Sequence, residues 1–142
     1  MWLKKMTEMG AVRESKSSCS SFLLSVPKGH GRGLRLCIDY RAIHKTTVPN
    51  RYPLPNMDEL KERVQGAKYF NKIDLKTGYH LIRIKEGDVY KTAFRSRYGL
   101  FEYTVIPFGL SNAPGTFQGM INHSCRDTLN QGMSALMDDI IK

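Results

Sequence analysis

MSALMDDIIK, residues 133–142, places two adjacent carboxylates at the end of a short apolar run. A strand over Met133–Met137 would deliver Asp138 and Asp139 to its end. Two charges beside a core are costly unless something neutralises them. Alone, the pair is more often the mark of a solvated turn. A second apolar run, KYFNKIDL (68–75), ends on another aspartate, Asp74. If the two strands lie side by side, three carboxylates meet at one edge of a sheet. A hard divalent cation would neutralise them, because magnesium takes oxygen ligands and commonly one or two carboxylates. Two such ions roughly 3.5–4 Å apart serve phosphoryl transfer.

The surrounding patterns give an α+β layout. Residues 2–9 suit a short helix closed by Gly10. FLLSVP (22–27) and LRLCIDY (34–40) read as a basic β-hairpin whose tip carries Lys28 and Arg32. Asn56 caps a helix over MDELKERVQ, with acids in its first turn and Gly66 after it. LIRIK (81–85) is short and extended. TAFRSRYGLFEYTVI (92–106) forms a hairpin turning at Tyr98-Gly99. A helix runs from Asn112 to about Leu129, with Phe117, Met120 and Ile121 on one face. Strand, turn, paired strands, helix, strand fits an antiparallel sheet with helices on one face, the split βαβ arrangement. Neither GxGxxG nor GxxxxGK[ST] occurs, which argues against a doubly wound nucleotide fold.

The charge is basic and uneven. The 142 residues hold 22 Lys and Arg against 13 Asp and Glu. Residues 1–55 contain ten of those bases and only three of the acids. A pI near 9.6, concentrated in the N-terminal third, suits a polyanionic partner. Cys19, Cys37 and Cys125 form no CxxC site and read as free thiols. No apolar run approaches the ~20 residues of a membrane helix, and MWLKKMTEMG lacks a signal-peptide core. A cytosolic or nuclear setting is expected, with no membrane.

Taken together, six strings resemble the reverse transcriptases of gypsy-like long-terminal-repeat retrotransposons. They are LRLCIDYRAIHK (34–45), NRYPLP (50–55), GAKYFNKIDLKTGYHLIRIKEGD (66–88), KTAFRSRYGLFEY (91–103), PFGLSNAPGTFQ (107–118) and MDDI (137–140). The resemblance covers about Leu3 to Ile141. It implies the fingers (1–55) and part of the palm (56–142) of a right-hand polymerase, ending after the Asp-Asp motif, within a polyprotein context or as a dimer. It implies RNA-directed DNA synthesis: deoxynucleotides (dNTP) added to a primer 3′-OH on an RNA/DNA template-primer.

The resemblance also assigns residues. Asp74 and Asp138 would hold two Mg²⁺ (or Mn²⁺) ions, with Asp139 the third acid. Tyr79 would stack under the incoming sugar, and the backbone from Leu75 to Gly78 would line the triphosphate. Arg35 and Lys28 would grip phosphates, although HisGlyArgGly blurs the alignment at Lys28. Phe108-Gly109 would begin the segment lining the nucleotide pocket. Pro114, Phe117 and Gln118 would face the template-primer, and Arg41 would lie near the template.

Three departures stand out. Leu136 replaces the aromatic usual before the aspartates. His44 replaces an asparagine, which puts a local hydrogen bond in doubt. Gly115 replaces alanine, loosening the helix by about 1 kcal/mol. The expectation is also that the return strand after Asp139 is essentially absent, leaving a chain with little or no activity alone. The alternatives are a non-catalytic nucleic-acid-binding remnant and a protein-interaction piece.

Overall fold

The computed structural model describes residues 2–27, 34–69, 71–129 and 131–142. Two compact units, each discontinuous in sequence, divide the chain at 48/49, 78/79 and 113/114. Each unit is built around its own sheet.

The first unit comprises residues 1–48 and 79–113. It holds helices α1 (Trp2–Glu8), α2 (Arg41–His44) and α4 (Glu86–Val89). Its strands are β1 (Val12–Glu14), β2 (Ser21–Pro27), β3 (Leu34–Ile38), β5 (Phe94–Ser96) and β6 (Gly99–Tyr103), in the order β1-β6-β5-β2-β3. The β2–β3 hairpin is antiparallel, with Leu23 opposite Ile38 and Pro27 opposite Leu34. Its tip, with Lys28 and Arg32, lies outside the described residues. β5 and β6 form the second hairpin. β2 meets β5 in parallel through Ser21 and Phe22, a pairing that alternation along one strand does not encode.

Apolar residues close this unit's core. Met6, Val12, Ile38, Tyr40, Phe94, Phe101, Tyr103 and Val105 are all buried. The Phe94 ring lies 5.5 Å from Tyr103 and 6.2 Å from Phe101, centroid to centroid. Strand β1 was not legible as a strand because its three residues are mostly polar. It forms because Arg13 stands opposite Glu102, whose buried carboxylate accepts from Arg13 Nε at 2.8 Å and from Ser15 Oγ at 2.5 Å.

The second unit comprises residues 49–78 and 114–142. It carries α3 (Met57–Val64), most of α5 (Ala113–Ser124), α6 (Arg126–Leu129), and strands β4 (Lys72–Asp74), β7 (Ser134–Leu136) and β8 (Asp139–Ile141). Asn56 caps α3 as expected: its side chain accepts from Asp58 N at 3.1 Å. Gly66 follows with φ +84, a left-handed turn that glycine enters without cost. The helix expected over 112–129 is two helices, with Cys125 between them.

The three-stranded sheet corrects two expectations. Its order is β4-β8-β7, all antiparallel. The Asp74 strand therefore does not lie beside the 133–137 strand; β8 stands between them. The return strand is present and central. Asp139-Ile140-Ile141 pairs on both sides, and Asn71 and Lys142 extend the β4 ladder by two further backbone bonds. Two β-branched isoleucines suffice for this once both neighbouring strands offer backbone partners.

Candidate active site

The acidic residues belong to the second unit and are positioned by strand register. Asp74 is the cross-strand partner of Asp139, which is in turn the partner of Leu136. Cross-strand partners share a face, so Asp74 and Asp139 project to the same side. Asp138 sits in the two-residue turn between β7 and β8. Its carbonyl accepts the Leu75 N–H at 2.8 Å, tying that turn to the residue after Asp74. All three aspartates retain solvent access.

A buried polar side chain supports the turn. Gln118 is fully buried. Its Oε1 accepts the Met137 N–H at 2.8 Å, and its Nε2 donates to Ala135 O at 3.0 Å and to Asn122 Oδ1 at 2.8 Å. Asn122 Nδ2 then donates to the Tyr52 hydroxyl at 2.9 Å. The chain of bonds fixes both sides of a turn whose Met137 has φ +53, a conformation disfavoured for a side-chain-bearing residue. Gln118 and Phe117, 1% exposed, thus correct an expectation. Their side chains are spent inside the unit and do not face a template-primer.

Gly78 makes a close approach beside them. A Cβ there would stand 2.8 Å from Phe117 Cζ and 3.5 Å from Asp138 Cβ. Gly115 and Gly119 likewise admit Tyr52: a Cβ on either would meet a Tyr52 carbon at 3.3 Å. Gly115 is therefore a contact position and not simply a weak helix former.

Lys72 is the residue missed from the sequence. Its Nζ lies 2.9 Å from Asp139 Oδ1. That hydrogen bond and the Asp139 charge raise the ammonium above its usual range, and Asp74 and Asp138 add to the effect. The signal was available, since Lys72 and Asp74 are two apart on a strand and share a face.

Among the described residues, no three His, Cys, Asp or Glu side chains converge into a metal cage by themselves. A magnesium ion does not require one: it keeps several waters and uses one or two carboxylates plus phosphate oxygens. The donors here are hard oxygens, accessible and carried on one sheet. Positive charge is already drawn to them, as the Lys72 contact shows.

The other candidates lie in the first unit. Tyr79 and Phe108 are brought together, edge to face, with centroids 5.1 Å apart at 84°. His80 also meets Phe108 at 5.9 Å, and burial lowers its pKa, favouring the neutral ring. Phe108 is 59% exposed. Gly109 adopts φ +101 against Ile38 and Tyr40. Arg41 makes a two-pronged contact to Asp39, Nε to Oδ1 at 2.8 Å and Nη2 to Oδ2 at 2.6 Å. This holds the Asp39 carboxyl down at about 2. His44 Nε2 is buried without a hydrogen-bond partner among the described residues. Pro114, half-buried, occupies the first turn of α5, where a missing N–H costs nothing. Leu75 contributes the backbone bond described above. Lys28 and the Arg35 side chain lie outside the described residues.

Comparison with known proteins places this arrangement. Residues 26–141 match the family described as reverse transcriptase (RNA-dependent DNA polymerase). The chain is 43% identical over 132 residues to the Transposon Tf2-3 polyprotein of Schizosaccharomyces pombe, covering 93% of this chain and 10% of that one. It is 41% identical over 143 residues to the Retrovirus-related Pol polyprotein from transposon 297 of Drosophila melanogaster, covering 98% and 14%. The chain thus spans about a tenth to a seventh of these relatives. Among solved structures, foamy viral protease-reverse transcriptase with an RNA/DNA hybrid matches at TM-score 0.87 and 24% identity, covering 98% of this chain and 18% of that one. The same enzyme with dsDNA matches at 0.82 and 25%, covering 99% and 29%. No helix among the described residues is long and apolar enough to cross a membrane. The chain has the α+β fold of polymerase fingers and palm, and it belongs to the reverse transcriptase (RNA-dependent DNA polymerase) family of retrotransposon Pol polyproteins.

Proposed function

We propose that this chain carries the acidic centre of a two-metal, template-directed DNA polymerase that adds deoxynucleotides to a primer 3′-OH. The observation that carries this reading is the register pairing of Asp74 with Asp139, with Asp138 in the adjoining turn. Asp74 and Asp138 would hold Mg²⁺ or Mn²⁺, with Asp139 beside them. Bound, the two ions would stabilise the attacking and leaving oxygens of phosphoryl transfer.

The chain's own residues do the rest. Gln118 and the Leu75 N–H hold the Asp138 turn in place. Tyr79 offers a ring to the incoming sugar, and exposed Phe108 lines the nucleotide pocket. Lys28 and Arg35 serve as phosphate cations. Arg41, Gly109 and Pro114 would each serve the template-primer, whose backbone attracts basic residues. The segment supplies parts of the fingers and of the palm, in an intracellular setting. The template-primer is an RNA/DNA duplex, in keeping with the hybrid held by the foamy viral enzyme. Polymerisation belongs, on this reading, to longer polypeptides such as the relatives. This segment binds metal and nucleotide.

Equilibrium binding of a fluorescent deoxynucleoside triphosphate, with and without Mn²⁺, tests the proposal. Wild type should bind in a metal-dependent way, and Asp74→Asn should lose the metal-dependent part. Asp74→Asn should still bind template-primer, with an affinity that falls as salt rises. Nucleotide binding that ignores the metal, or that survives Asp74→Asn unchanged, would overturn it.

A further inference from the structure

We propose that Lys72 is a positioning residue. It engages Asp139, leaves Asp74 and Asp138 to the metal, and sets how tightly the acidic row takes a divalent ion. The inference rests on the two-metal reading above.

Register brings Lys72 to this position. In β4, Lys72 faces Ile141 and Asp74 faces Asp139. Lys72 and Asp139 are therefore diagonal neighbours on one face, a separation that a long side chain spans. The contact is made, Nζ to Oδ1 at 2.9 Å. Both side chains remain about half exposed, 56% and 44%, and exposed pairs of this kind contribute little to stability. Its effect is electrostatic and local. Asp74 and Asp139 stand opposite one another on that face, and Lys72 is the cation paired with Asp139.

A divalent ion entering the row meets that ammonium as a like charge. In a water-like dielectric, a unit charge about 6 Å from a divalent ion alters its affinity by about tenfold. Asp139, held by Lys72, is withdrawn from the ion, whereas Asp74 and Asp138 have no such partner among the described ion pairs. Removing the ammonium should both lift the repulsion and release Asp139 as a further oxygen donor.

Mn²⁺ binding to the 142-residue chain, followed by electron paramagnetic resonance of the free ion, reads this directly without any turnover. Lys72→Met should bind Mn²⁺ about tenfold tighter than wild type, and Lys72→Arg should stay within about twofold. The gain should shrink at high salt, which screens exposed charges. Asp139→Asn should weaken Mn²⁺ binding in the wild-type background and remove much of the gain in Lys72→Met, a coupling that a double-mutant cycle isolates. Circular dichroism confirms that each variant folds, with Lys72→Gln as a second neutral variant. If wild type and Lys72→Met bind Mn²⁺ equally, or Lys72→Met binds it more weakly, the role of Lys72 is overturned and the two-metal reading stands. If neither folded protein binds Mn²⁺, the two-metal reading fails and this inference fails with it.

Discussion

Gln118 Oε1 accepts the main-chain N–H of Met137 at 2.8 Å, from a side chain with no solvent exposure. A buried amide with partners on Met137, Ala135 and Asn122 is committed to one geometry. Replacing it by leucine strands the Met137 N–H and the Ala135 carbonyl, each of which then bears its own desolvation cost. Gln118→Leu should destabilise the fold by about 2–4 kcal/mol, measured by urea denaturation. Because Met137 adjoins Asp138, Mn²⁺ binding should weaken as well, even at temperatures where the variant is fully folded. A variant as stable as wild type would show that the amide is not holding the turn.

Gly78 is the second support of that turn, through space it leaves empty. Any side chain there drives a Cβ to within 2.8 Å of Phe117 Cζ. Phe117 is buried, and its ring cannot swing into solvent. Gly78→Ala should cost about 1–3 kcal/mol, the range for overpacking a filled core. Trimming the obstacle should relieve it: in the Phe117→Leu background the same substitution should cost less. Thermal melts of the four proteins in that cycle decide the matter, and simple additivity would refute the contact.

Local chemistry was legible in the sequence and long-range pairing was not. Asn56 and Gly66 marked the ends of α3 because caps depend on neighbours a few residues away. The β2–β3 hairpin followed from alternation and turn residues. The strands β1 and β8 went unread because three residues carry too little pattern, and each exists through partners distant in sequence. The acidic residues were identified from their strings, but the register that sets Asp74 opposite Asp139 leaves no periodic trace. Gln118 was assigned to the template-primer through the resemblance, whereas the partners of its side chain are largely backbone groups inside the unit. Gly115 read as a flaw because the approach of Tyr52 from a remote connector could not be seen.

The Asp39–Arg41 pair gives a pH signature in the first unit. The Arg41 side chain and its backbone N–H both donate to the Asp39 carboxylate, holding its pKa at about 2 instead of the ordinary 3.8. A depressed carboxyl value means the interaction favours the folded state at and above pH 3.8 and is lost as pH falls through about 2. Carbon NMR of the Asp39 carboxyl should give a midpoint near 2 in wild type, moving up toward 3.8 in Arg41→Ala. A wild-type midpoint already near the ordinary value would mean that Arg41 is not held by Asp39 in solution.

Ile140 tests whether β8 is the centre of its sheet. It lies between Ile73 of β4 and Ala135 of β7, on the face opposite the Asp74–Asp139 row. It is 7% exposed, against 53% for Ile73. Truncating a buried isoleucine costs the transfer of its methyl groups plus the cavity left behind, about 2–5 kcal/mol, and a half-exposed one loses less on both counts. Ile140→Ala should therefore destabilise the chain clearly more than Ile73→Ala. It should also speed hydrogen exchange at the amides of Asn71 and Leu75, which donate to Lys142 and Asp138 across the junction of β4 with the β8 strand. Equal costs for the two substitutions would mean that β8 is frayed in solution. Asp138 and Asp139 would then lack the fixed turn on which the proposed metal centre depends.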